Sequence, residues 1–141
     1  MIRELKCEDL DNVMNIWLEE NCTAHSFIDE EYWKDNFEAV REMMPTATVF
    51  VYEENGVIVG FIGLMDQYIA GIFISNEYQS KGIGKQLIDY VKQRKQQLSL
   101  HVYKKNERAI EFYQREGFTI TEEQLDENTG EVELVMNWNK L

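Results

Sequence analysis

The residues Gln79-Ser80-Lys81-Gly82-Ile83-Gly84-Lys85 lie between an apolar run, Ile72-Phe73-Ile74, and a stretch of helical periodicity. Glycines opening a helix let the backbone approach a ligand closely. The first amide N–H groups there have no intrahelical partner, and the helix dipole adds positive potential, so the pattern is chemically an anion site. Two commoner phosphate motifs fail. A Walker loop would need glycine at 79 and serine or threonine at 86, where Gln79 and Gln86 stand. A dinucleotide fingerprint would need a small residue at 87, where Leu87 stands. From the loop alone, a glycine-rich helix start without a ligand stays open.

A second constellation follows: Asn106, Arg108, Ala109, Phe112, Tyr113, Gly117 and Phe118. Asn106 and Tyr113 are seven residues apart, hence on one side of a helix about two turns apart. Phe112 and Phe118 are expected to face the core.

The elements that must position these groups read as follows. Ile2–Leu5 is a short strand. Leu10, Val13, Met14 and Trp17 recur at helical spacing, and Asp29 caps a second helix carrying Trp33, Phe37, Val40 and Met44 until Pro45 stops it. A strand through Thr48–Tyr52 turns at Asn55-Gly56 into Val57–Met65, with Tyr68–Ile74 next. A helix is expected over Gly82–Gln96, a strand over Leu98–Tyr103, and a helix over Glu107–Glu116 that ends at Gly117. Phe118–Leu125 and Glu131–Trp138 close the chain as a hairpin. The order βααβββαβαββ describes one mixed α/β domain over residues 1–141, in which the strands flanking the Gly82 helix are parallel neighbours.

The chain has 141 residues, 44% hydrophobic and 12% aromatic, which fits a globular domain with a real core. No uninterrupted apolar run is long enough to span a membrane, and the N-terminus does not read as a signal peptide. Cys7 and Cys22 lack metal-ligand spacing, so two buried or half-buried free thiols, a cytosolic compartment and no metal are expected. A net charge of −12 disfavours nucleic acid or an anionic membrane as partner. Lys81–Glu116 holds nine basic and four acidic residues, a local +5 that leaves −17 elsewhere. Cations gathered there fit an anionic ligand, although several must simply solvate helices.

Gln79-x-x-Gly82-x-Gly84 followed by Asn106-x-x-Ala109-x-x-Phe112-Tyr113-x-x-x-Gly117-Phe118 resembles the GCN5-related N-acetyltransferase (GNAT) superfamily. Trp17-Leu18-Glu19, His25-Ser26-Phe27-Ile28 and Tyr32-Trp33 resemble segments of its small bacterial members that modify protein amines or lysines. The resemblance covers the whole chain. It implies a mixed, mostly antiparallel sheet whose strands at Gly71–Ile74 and Leu98–Tyr103 splay apart around acetyl-CoA, the cosubstrate. Backbone groups of Ile72, Phe73 and Ile74 would hold its acetyl and pantetheine part, and amides of Gln79, Ser80, Lys81, Gly82, Ile83, Gly84 and Lys85 its pyrophosphate. Asn106 would bind the pantetheine arm, and Lys81, Lys85 and Arg108 would approach the adenosine phosphates.

The implied reaction is direct attack of an amine on the thioester through a tetrahedral intermediate. Tyr113 resembles the family's general acid; a phenol pKa of ~10 against ~8.5 for a thiol permits proton donation. At pH 7 about one lysine side chain in 2,500 is neutral, against about one α-amine in seven, so a lysine acceptor has more need of a base. His101 stands where relatives often carry glutamate, and neutral imidazole can accept a proton; lining the cleft is its other reading. His25, Phe27 and Trp33 fall in the region that covers the family's acceptor side. The −17 outside the basic stretch favours approach of a cationic amine or basic peptide. A protein lysine or N-terminal amine leads; a small amine such as a polyamine or antibiotic, and a non-catalytic acyl-CoA sensor, are the alternatives. A monomer or homodimer suffices for any of these.

Overall fold

The computed structural model describes residues 1–141. Its strands are β1 (Ile2–Glu4), β2 (Thr48–Glu54), β3 (Val57–Met65), β4 (Tyr68–Ile74), β5 (Gln97–Tyr103), β6 (Thr119–Asp126) and β7 (Glu131–Asn139). The helices are α1 (Leu10–Ala24), α2 (Glu30–Met43), α3 (Ile83–Lys92) and α4 (Glu107–Arg115), so the expected order of elements holds. The strands form one sheet, β1-β2-β3-β4-β5-β7-β6, antiparallel except for the β4–β5 pair.

Local chemistry explains the element ends. Asn55 and Gly56 both take positive φ (52° and 79°) in the β2–β3 hairpin, the conformation Asn-Gly tolerates best. Asp29 caps α2 by accepting from the Glu31 amide at 3.0 Å. Gly117 (φ 93°) ends α4, and the Phe118 amide returns to the Tyr113 carbonyl at 3.0 Å. Helix α3 stops at Lys92, before the expected Gln96. Gln93-Arg94-Lys95-Gln96 offers no apolar side chain to hold another turn on the sheet; Arg94 instead stacks 3.5 Å from the Tyr90 ring centroid and donates to the Tyr90 carbonyl.

Two cores lie on opposite faces of the sheet. Ile83, Leu87, Ile88 and Val91 of α3 pack with Tyr113, Phe118, Leu98, Leu100 and Met136, while Val13, Met14 and Trp17 of α1 and Trp33 of α2 pack on Val49, Val51 and Phe61. Strand β3, covered on both faces, is buried continuously from Ile58 to Leu64. Arg3 anchors the first turns: its guanidinium spans Asp9 (2.7 and 3.0 Å) and reaches Glu53 (3.2 Å). Both thiols are free; Cys22 is half-buried, whereas Cys7 is exposed at a short 3-10 turn before α1.

Strand β4 is not regular. Gly63 pairs with Gly71 but Leu64 pairs with Ile69, so Ala70 is an extra residue on β4. The bulge reverses the alternation midway. Ile69, Ile72 and Ile74 thereby share the α3/α4 face, and Phe73 joins the α1/α2 face.

Candidate active site

The β4–β5 pairing is confined to Tyr68↔Ser99 and Ile69↔Leu100. Beyond that point β4 stays bound to β3 as far as Ile74, and β5 stays bound to β7 as far as Tyr103. The two facing edges therefore carry backbone donors and acceptors without a strand between them. A cleft of about 750 Å³ opens from this wedge, lined by Tyr68, Gly71–Ile74, His101–Tyr103 and the start of α3. An extended, amide-bearing arm fits such an edge as an added strand would.

At the wide end, the amides of residues 80–85 donate to no protein acceptor; the first bond of the following helix is Gln86 N to the Gly82 carbonyl. Gly82 (φ 82°) and Ser80 (φ 62°) adopt left-handed backbone that turns this run of N–H groups outward. Gly84 has another purpose: a Cβ there would lie 3.2 Å from Phe112 Cζ, so its absence lets α3 approach α4. These free donors and the open strand edges suit a pyrophosphate joined to an extended arm.

Side chains around the loop are less free than the sequence implies. Gln79 points away from the amides, donating through Nε2 to Glu20 (2.6 Å) and to the Ile74 carbonyl (2.9 Å). Glu20, on α1, is 8% exposed, and burial pushes its carboxyl above the usual carboxylate range. Sequence reasoning missed Glu20, although it continues the buried α1 stripe of Val13, Ile16 and Trp17. Lys85 is committed to Glu116 (3.3 Å) and Asp89 (3.4 Å), and its hydrogen bond to Glu116 raises its pKa. Lys81 lies over the Tyr78 ring. Arg108 donates to the Ser80 hydroxyl at 3.2 Å, bringing the two constellations together.

Asn106 is the N-cap of α4. Its Oδ1 accepts from the Ala109 amide at 3.3 Å, so Nδ2 is the atom facing His25 Nε2 at 3.2 Å. That assignment makes Nε2 the acceptor and leaves the imidazole proton on Nδ1. Burial lowers the His25 pKa to about 4, which keeps the ring neutral at pH 7. The ring stacks on Trp33 and meets Phe27 and Tyr103 edge-on; His25 and Trp33 line the cleft, whereas Phe27 packs outside its lining. His25 Nδ1 and Trp33 Nε1 are buried there without a hydrogen-bond partner.

Tyr113 lies across the cleft on α4, 8% exposed, with no protein hydrogen bond on its hydroxyl. Burial, with a smaller contribution from Tyr68, pushes its phenol well above the usual range. His101, on β5, faces the α1/α2 side. Its ring meets Tyr68 edge-on at 5.2 Å, and its Nδ1 is 3.5 Å from Glu133 Oε1. Glu133 of β7 is a second residue the sequence did not single out; it becomes a neighbour of His101 only through strand pairing, one diagonal from the Tyr103↔Glu133 register.

A family model described as an acetyltransferase (GNAT) domain matches residues 17–138. The peptidyl-lysine N-acetyltransferase YiaC of Escherichia coli (strain K12) is 37% identical over 140 residues, spanning 98% of this chain and 96% of that protein. The solution structure of apo-form YjaB from Escherichia coli superposes with a TM-score of 0.87 at 26% identity, covering 100% of this chain and 98% of the other. The fold also matches yncA, an acetyltransferase from Salmonella typhimurium solved with acetyl-CoA (TM-score 0.69, 19% identity, 99% and 92% covered). The open β4–β5 wedge, the run of free amides and these likenesses lead to one conclusion: the chain belongs to the GNAT family of acetyl-CoA-dependent N-acetyltransferases.

Proposed function

We propose that residues 1–141 act as one acetyltransferase domain, in the cytosol, that acetylates lysine side chains of proteins or peptides, with N-terminal amines as the nearest alternative. The observation that carries this reading is one wall of the cleft: Trp33, His25 and Tyr103 form an aromatic surface leading to His101 and Glu133, with Phe27 packed against His25 and Tyr103 outside the lining. A long alkyl stem suits aromatic walls, and its ammonium suits a carboxylate at their end. The name of the relative YiaC, a peptidyl-lysine N-acetyltransferase, favours the same acceptor. The net −17 outside Lys81–Glu116 favours a basic partner.

Acetyl-CoA supplies the activated acetyl group. The amides of residues 80–85 would bind its pyrophosphate, with Arg108 able to swing from Ser80 toward the phosphates; Lys85 stabilises α3 against Glu116 instead. Backbone of Ile72, Phe73 and Ile74 would hold the arm along β4, and the second Nδ2 hydrogen of Asn106 would reach it from α4. His101 would take a proton from the acceptor ammonium at its Nε2. Tyr113 would give its hydroxyl proton to the departing sulfur. Its raised pKa is compatible with that step because the same burial raises a thiol's pKa, keeping donor and acceptor matched.

The test is to incubate the protein with acetyl-CoA and a basic peptide carrying both a free α-amine and lysines, then map the acetyl group by fragmentation mass spectrometry. Acetylation on the ε-amine supports the proposal; exclusive modification of the α-amine overturns the lysine assignment.

A further inference from the structure

Glu133 is a half-buried carboxylate that lines the cleft beside His101. Its side chain is 16% exposed, yet it forms no ion pair with any lysine or arginine. Of the other carboxylates at similar depth, Asp9, Glu116 and Glu131 are held by Arg3, Lys85 and Lys105, Glu20 by Gln79, and Asp126 by Tyr103 and Thr129. Within 4 Å the one basic side chain at Glu133 is His101, whose Nδ1 lies 3.5 Å from its Oε1.

The carboxylate is also fixed. Gln124 of β6 donates to the same Oε1 at 2.7 Å, so a line of polar groups runs across three strands, from Gln124 through Glu133 to His101. The other titratable groups around it are Tyr68 of β4 against the His101 ring, Tyr103 of β5 in register with Glu133, and Tyr32 of α2, which feels the charges of Asp126 and Glu133; Asp126 itself accepts from the Tyr103 hydroxyl. With a carboxylate beside Nδ1, the imidazole proton belongs on Nδ1 and the Nε2 lone pair is available to the cleft.

We propose that Glu133 is the positioning residue for His101: it fixes the ring by Nδ1, selects the tautomer with Nε2 free, and stabilises the imidazolium formed when the acceptor amine is deprotonated. In that step an N–H bond of the acceptor ammonium breaks, a bond from the proton to His101 Nε2 forms, and Glu133 stays ionised. The proposal rests on His101 acting as base.

The test measures kcat and KM, with acetyl-CoA and a lysine peptide, for the native protein, Glu133→Gln, Glu133→Asp, His101→Ala and the double variant, and reads the His101 tautomer by nitrogen NMR. In Glu133→Gln kcat should fall roughly tenfold with KM little changed, and the ring proton should no longer be confined to Nδ1. Glu133→Asp should recover part of both effects, and adding Glu133→Gln to His101→Ala should change nothing further. A change in KM alone, or effects of the two substitutions that multiply, would each overturn the proposal. The NMR signals separate this failure from failure of the base itself, because the protein has only two histidines to assign. A tautomer that changes in Glu133→Gln while His101→Ala stays fully active supports the pairing and removes His101 as base. A tautomer unchanged in Glu133→Gln overturns the pairing.

Discussion

Asn106 Nδ2 lies 3.2 Å from His25 Nε2, and this contact joins helix α4 beside the β4–β5 wedge to the loop between α1 and α2. It holds only while His25 is neutral, because imidazolium has no lone pair to offer. Between them the two residues satisfy a helix N-terminus, orient a buried ring and stack it on Trp33.

Stability should therefore fall in mild acid. The His25 pKa drops from 6.5 in the unfolded chain to about 4 in the folded one, so between these values the unfolded state binds more protons. The contribution is complete above pH 6.5 and is lost as pH falls toward 4, by at most about 3 kcal/mol. Urea denaturation at pH 7 and pH 4.5 checks it: His25→Phe should flatten the difference, and an equally steep loss in that variant would assign the acid sensitivity elsewhere.

Asp9 predicts a separate, lower window. Hydrogen bonds from Arg3, and one from the Lys6 amide, hold its carboxyl below the usual range. Its contribution is present above the unfolded carboxylate pKa and disappears as pH falls through the folded value. Asp9→Ala should cost about 2–3 kcal/mol at pH 7, because it removes the two-pronged partner of a half-buried guanidinium and leaves Glu53 as its only carboxylate. The measurement is chemical denaturation of the variant, with Asp9→Asn recovering little since it lacks the charge.

Gly71→Ala should separate activity from stability. A Cβ at Gly71 would come within 2.3 Å of Phe73 Cε2, and the ring can rotate away. The displaced ring then enters the cleft that Gly71 and Phe73 line. Melting should shift by only a few degrees, roughly 1 kcal/mol, while turnover falls at least about tenfold. Thermal melts and steady-state rates on the same sample decide this.

These predictions also mark what the sequence does and does not carry. Helix periodicity, Asn55-Gly56, Gly117 and the pattern Gln79-x-x-Gly82-x-Gly84 are local, so they read directly into elements and an anion loop. The β4 bulge at Ala70 leaves no such mark, yet it decides that Phe73 faces α1 and α2. Glu133 and Glu20 were overlooked because they meet His101 and Gln79 across 32 and 59 residues of chain, contacts set by sheet register and helix docking. Lys85 reads as a phosphate ligand from its position after Gly84, but Glu116, placed by the packing of α4 on α3, claims it first. Local rules also cannot show that Asn106 is divided between a cap and a histidine.

The central claim is that acetyl transfer occurs in the β4–β5 wedge with Tyr113 as proton donor. Its most direct test compares the native protein with Tyr113→Phe, measuring acetyl-CoA affinity by calorimetry and thiol release with a lysine peptide at saturating acetyl-CoA. Affinity should stay within about threefold while thiol release falls by roughly two orders of magnitude, the scale of a lost general acid. Full turnover in Tyr113→Phe, or no binding of acetyl-CoA by the native protein, would contradict the account.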